Sequence, residues 1–126
     1  MARQFHLGDI LSISTGFLVS PRHIEGVYDI LNYMTGDNLF THQLPRASDE
    51  CQPYLLEQMP WLVDIELGAG ADAEGWDWEA WLLCQVAEHG EYHPVRPIPI
   101  DDHDVIDPIV ELEQMAPNKP IIVLTG

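Results

Sequence analysis

Acidic residues outnumber basic ones 21 to 5 in this chain, a formal net charge of −16, and the excess is confined to one part of it. Residues 1–48 carry four acids against three arginines, a net of −1, whereas residues 49–126 carry seventeen against Arg96 and Lys119, a net of −15. Self-repulsion on this scale opposes any compact state even as it aids solubility. It also excludes attachment to DNA, RNA or an anionic membrane as a main function, because neutralising phosphates needs Lys and Arg. A basic protein surface is the simplest complementary partner.

A core has to form against that repulsion, and the composition allows it. With 126 residues, 46% of them apolar, the chain suits one domain and buries roughly two-thirds of its unfolded surface without staples. Cys51 and Cys84 make no disulfide framework. No basic segment leading into an apolar one opens the chain, and no apolar run approaches the ~18–20 residues of a membrane helix. These features predict a soluble, reduced, cytoplasmic protein with no structural disulfide, metal or cofactor.

Leu7, Ile10 and Leu11 stand at helical spacing in His6–Ser14, with Gly16 as the stop, and predict a short helix, although Ile and Ser also permit a strand there. A second helix is predicted with Ser20 as cap, Pro21 in its first position and Val19 and Ile24 as a staple. Ile24, Val27, Tyr28, Leu31 and Met34 would share its face, and Gly36 would end it. Leu39 and Phe40 are expected to turn inward. A third helix is expected over Ala47–Met59 with Ser48 as cap, or else beginning at Pro53, with Pro60 as limit in either case, followed by a strand over Trp61–Leu67. Gly68–Gly75 reads as a flexible loop within the domain.

Trp76–His89 predicts a helix capped by Asp77, with Trp76 and Trp81 at staple spacing and Trp78, Trp81, Leu82, Gln85 and Val86 on one face. Pro94, Pro97 and Pro99 alternate with Val95, Ile98 and Ile100, as in an extended edge segment. Asp107 and Pro108 open a short helix to about Met115, and Ile121–Leu124 reads as a buried strand. The composite is a single α+β domain of three or four helices with a small sheet.

No motif commits the chain to catalysis. Gly68–Gly75 lacks the Lys and Ser/Thr of a phosphate loop, and Asp72 and Glu74 would repel phosphate. His89, Glu91 and His93 lack a zinc-site spacing and read as helix-end residues. Asp101–Asp104 lacks the spaced oxygens of a calcium loop and reads as a solvated acidic loop. The serines lack a nucleophile context, and Cys84, beside Leu83, is expected to pack. Trp78 and Trp81 are expected in the core, with an exposed anchor among the four tryptophans as the sharper alternative. Arg22 and Arg46 adjoin helix N-termini, where an anion can bind, but pairing with the abundant carboxylates is the simpler expectation.

Residues 7–62, above all the run MTGDNLFTHQLPRA at Met34–Ala47, resemble a family of small uncharacterised proteins of phages and prophages of proteobacteria. The resemblance implies a phage accessory protein and brings no assigned chemistry. Short acidic phage proteins include inhibitors of host defence such as anti-CRISPR and anti-restriction proteins, a likeness of type only. The function expected is a non-enzymatic inhibitor that binds the basic nucleic-acid-binding surface of a host protein or ribonucleoprotein complex, with a CRISPR effector as the leading target. Its partner-binding residues would come from Glu50, Glu57, Asp64, Glu66, Asp72, Glu74, Glu79, Glu88, Glu91, Asp101, Asp102 and Asp104. The alternative is a small-ligand protein that binds or sequesters nucleotides through Arg22, His23, His42 and Arg46 of the near-neutral part.

Overall fold

A computed structural model describes residues 2–67, Ala71 and residues 75–115. Its centre is helix α1 (Leu7–Thr15), in which every residue from Leu7 to Ile13 is buried. His6 caps α1 by accepting the Gly8 N–H on Nδ1 at 2.9 Å, and Gly16 ends it in the left-handed conformation, φ 80°, that glycine favours. Burial extends beyond Leu7, Ile10 and Leu11. Strand β1 (Arg3–His6) and helices α2 (Ile24–Thr35), α3 (Leu44–Gln58) and α4 (Trp78–His89) all contact α1, so its polar side is enclosed too. Ser12 is satisfied there: its hydroxyl donates to the Gly8 carbonyl at 2.8 Å and accepts from Val19 N–H at 3.0 Å.

β1 pairs antiparallel with β2 (Tyr92–Val95), placing Arg3 opposite Val95 and Gln4 opposite Pro94. A two-stranded sheet has only edges, which is where a strand proline is tolerated. β1 has no periodic signature, since Phe5 is its one buried residue. Past β2, the Gln58 side-chain amide continues the pairing: it accepts from Arg96 N–H at 2.8 Å and donates to the Arg96 carbonyl at 3.2 Å.

Helix α2 begins later than predicted. The Ser20 hydroxyl points inward to Asp9 and does not cap a helix; residues 21–23 form a turn, and α2 starts at Ile24 after His23 at φ 56°. Ile24 is exposed, so no staple with Val19 forms. Gly36 does end α2 in the left-handed conformation. Leu39 is buried, but Phe40 is 58% exposed, against the expectation for it. A 3₁₀ turn at Thr41–Gln43 leads directly into α3, which therefore starts at Leu44 and leaves Ser48 inside the helix. Leu44, Ala47, Cys51 and Leu55 form the buried face of α3.

The predicted strand at Trp61–Leu67 is replaced by a 3₁₀ turn at Pro60–Asp64. Leu62 N–H reaches the Met59 carbonyl at 3.0 Å and Ile65 N–H the Leu62 carbonyl at 3.2 Å, so this segment satisfies its backbone locally and needs no partner strand. Gly68–Gly75 and Ile121–Leu124 lie largely or wholly outside the described residues.

Helix α4 follows its sequence signals closely. Asp77 accepts from Ala80 N–H at 3.1 Å, and the Trp76 and Trp81 rings meet at 5.8 Å. Only Leu82 of α4 is buried; Trp78 and Trp81 are half-buried, and Leu83 and Cys84 are exposed, so Cys84 does not pack. The last described helix, α5 (Pro108–Met115), is opened by Asp107, which accepts from Ile109 and Val110 N–H. The fold is α+β, with five helices and one two-stranded antiparallel sheet among the described residues. No helix among them is long and apolar enough to cross a membrane.

Candidate partner-binding surface

Three of the five cations of this chain, Arg3, Arg22 and Arg46, are paired with carboxylates of the fold. Arg3 makes a two-pronged bond to Asp29 at 2.9 and 2.7 Å and lies over the Phe5 ring. Arg22 bridges Asp29, at 3.0 Å, and the wholly buried Asp9, at 2.5 Å. The Asp9 hydrogen bond comes first among the causes that raise the Arg22 pKa. Asp29 is pushed up by burial, but the bonds from Arg3 and Arg22 outweigh this and hold it below the usual carboxylate range. Ser20 completes the knot by donating to Asp9 at 2.5 Å and accepting from Arg22 N–H. Two glycines make room for it: a Cβ at Gly26 would collide with Ser20 Oγ and Asp9 Oδ1, and one at Gly8 would stand 2.7 Å from Pro21 Cδ and the Val19 carbonyl.

A second network fastens the acidic loop. Arg46 binds Glu111 at 2.8 Å through both Nε and a terminal nitrogen, Glu50 at 2.7 Å, and the Asp104 carbonyl at 2.8 Å. Its pKa is raised chiefly by the bond to Glu111. His103 is the surprise of the loop. Its side chain is only 2% exposed and lies between Glu50, 2.5 Å from Nδ1, and Asp37, 2.9 Å from Nε2. Burial disfavours the charged ring, but the bonds to Asp37 and Glu50 prevail and raise its pKa above the ordinary histidine value. The expectation of a wholly solvated loop thus fails at His103, because a charged imidazole has donors for both carboxylates. Gln43 and His42 add bonds to Ile106, Glu111 and Pro108, so α5 and the loop are pinned to the start of α3.

With Arg3, Arg22 and Arg46 so engaged, the candidate acids sort by position. Glu50 is internal. Asp101, Asp102 and Asp104 project from the pinned loop, with Asp102 accepting from the Tyr54 hydroxyl. Asp64, Glu66 and Glu88 come together around a groove of about 330 Å³, where Trp61 stacks on His89 at 4.5 Å and 14°. Glu79 and Glu91 meet in a second cleft of about 250 Å³ with His6, Pro21, His23, Trp78, Leu82, Leu83 and Val86. Glu57 is exposed on α3, away from both grooves' linings, and Asp72 and Glu74 lie outside the described residues.

The alternative set does not converge. Arg22 lines a cavity of about 270 Å³ beside Asp9, and His23 lines the adjoining cleft, whereas His42 and Arg46 face α5. His6 borders both cavities and was not singled out from sequence; its signal was its place before a helix, where a side-chain acceptor caps. Among the described residues no group of three His, Cys, Asp or Glu is placed to hold a metal ion.

Residues 5–65 match the model of a domain of unknown function, DUF7736. No curated protein and no solved structure matches the chain. The DUF7736 stretch runs from β1 to just past the Pro60–Asp64 turn, taking in the central helix and both arginine knots' anchoring residues Asp9, Arg22 and Arg46. Its boundary divides both grooves. The smaller cleft takes His6 and His23 from the DUF7736 stretch and Trp78, Glu79 and Glu91 from beyond it; the larger takes Trp61 and Asp64 from within and Glu88 from beyond.

Proposed function

We propose that this protein is a non-enzymatic, phage-encoded inhibitor of host defence that binds the basic nucleic-acid-binding surface of a protein or ribonucleoprotein complex, a CRISPR effector being the leading target. One observation carries the reading: Arg3, Arg22 and Arg46 are each engaged by carboxylates of the fold, while among the described residues no Lys or Arg pairs with the solvent-facing carboxylates of the two grooves and the pinned loop, Glu88 having only His89 at 3.7 Å. Duplex DNA carries one charge per ~1.7 Å of axis, and a basic channel built for it attracts any dense, ordered array of carboxylates. Attraction of this kind speeds encounter and opposes wrong partners, while occlusion follows from the bulk of the fold. The nucleotide-binding alternative has weaker support, since the guanidinium groups of Arg22 and Arg46 are each taken by two carboxylates.

Affinity capture from host lysate with mass spectrometry tests the reading. The expected result is a nucleic-acid-binding protein whose retention falls steeply with salt, and whose capture is reduced when Asp101 and Asp104 are reversed to Lys. Capture that is insensitive to salt and to those reversals, yet lost with Arg22→Ala, would overturn it in favour of the N-terminal site.

A further inference from the structure

We propose that the cleft between α4 and the Pro21–His23 turn receives a single arginine side chain of the basic partner; the inference rests on the reading above and names the contact that gives it specificity. The cleft measures about 250 Å³. That lies below the ~300–1,000 Å³ of pockets that enclose drug-sized ligands, and suits one long side chain.

Its chemistry selects a cation with an apolar stem. Glu79 and Glu91 border the cleft, and neither has an ion-pair or hydrogen-bond partner for its carboxylate among the described residues. Leu82 and Val86 supply apolar wall, and Trp78 presents an indole that meets the His23 ring nearly at right angles, centroids 6.0 Å apart and planes at 78°. Anions meet two carboxylates here, and the neighbouring guanidinium of Arg22 is turned to Asp9 and Asp29. Arginine fits better than lysine: its planar guanidinium stacks on an aromatic face, is weakly hydrated and engages carboxylates by a fork, while its methylenes lie on apolar surface.

The walls are fixed before any partner arrives. α4 is capped by Asp77, and its Trp81 indole donates to the Glu66 carbonyl at 3.2 Å. The opposite wall is seated where Gly8 lets Pro21 and Leu82 press against the start of α1. A preformed receptor avoids the ordering cost that weakens flexible surfaces.

The test uses capped Gly-Arg-Gly peptide as probe, with citrulline and lysine versions, titrated by NMR into the whole protein. Amide shifts are expected at Glu79, Leu82 and Val86 and at the Trp78 indole, with the arginine peptide binding best and the citrulline peptide not at all. Glu79→Gln with Glu91→Gln should weaken binding roughly five- to tenfold at low salt, as two partly exposed ion pairs would. Asp64→Asn with Glu88→Gln removes the same charge from the other groove and should change affinity less than about twofold. Equal losses in the two double variants, shifts centred elsewhere, equal citrulline binding, or no binding at low salt would each overturn the cleft while leaving the broader acidic reading intact. Self-association abolished by Arg96→Ala would place a second copy in the cleft and also overturn the proposal. Conversely, specific arginine binding with no basic partner captured from lysate would sink the functional reading and leave the receptor standing.

Discussion

Gly26 illustrates how much one missing methyl group can decide. Helix α2 crosses α1 where the Ser20–Asp9 bond is enclosed, and any Cβ at this position would lie against both side chains. Gly26→Ala is expected to destabilise the protein by about 2–3 kcal/mol through overpacking. Gly16→Ala meets no neighbour within 4 Å and faces only the left-handed backbone, so about 1 kcal/mol is expected there. Urea unfolding of the two variants separates these effects, and equal losses would contradict the account of the knot.

His103 gives the pH dependence its shape. Because its folded-state pKa is raised above the ordinary ~6.5, its contribution is fully present below that value and is lost as pH rises through the folded pKa. Asp37, lowered chiefly by its bond to His103, and Glu111, lowered chiefly by Arg46, act in the opposite sense: theirs is present above the ordinary carboxylate range and lost as pH falls through the depressed values. Stability should therefore decline on both sides of a mildly acidic maximum. His103→Gln should flatten the alkaline limb, read as urea midpoints across pH; a variant that keeps the wild-type alkaline slope would show that the loss lies elsewhere.

At the scale of elements, the comparison of Asp77 with Ser48 separates local signals that act from those that do not. Asp77→Ala should cost about 1 kcal/mol, since its side chain satisfies the Ala80 N–H. Ser48→Ala should be nearly neutral, because Ser48 sits within α3 and caps nothing. Thermal or urea denaturation checks the pair, and a larger loss at Ser48 would reverse the assignment. α4, α5 and the end of α2 were legible in the sequence because cap, staple and stop residues act within a few positions. The start of α2 was not, because Ser20 bonds to Asp9, eleven positions earlier in the chain, in preference to a helix N-terminus. Trp61–Leu67 misled for a related reason: spacing suggested alternation, but a strand also needs a partner edge, and spacing says nothing about that. The acids of the candidate surface were legible as residues; their grouping into two grooves and a loop depended on how α4 and α5 dock.

For the whole molecule, a net charge of −16 acts on stability as well as on recognition. Raising sodium chloride from about 0.01 M to about 1 M shortens the screening length from ~30 Å to ~3 Å. Repulsion among exposed carboxylates weakens more than the partly buried pairs of Arg22 and Arg46, so the melting temperature should rise by a few degrees. A fall on adding salt would mean that the internal pairs dominate.

The pairing of β1 with β2 also sets a timetable. Phe5 and the central helix emerge from the ribosome well before the strand that pairs with β1, which ends at Val95. At about 5–20 residues per second, β1 waits several seconds for its partner, with the most apolar of the described helices incompletely covered. The stretch that matches DUF7736 ends before that partner is made. Its own closure is therefore completed by the acidic part downstream, so the matched stretch lacks the strand that β1 needs as its partner.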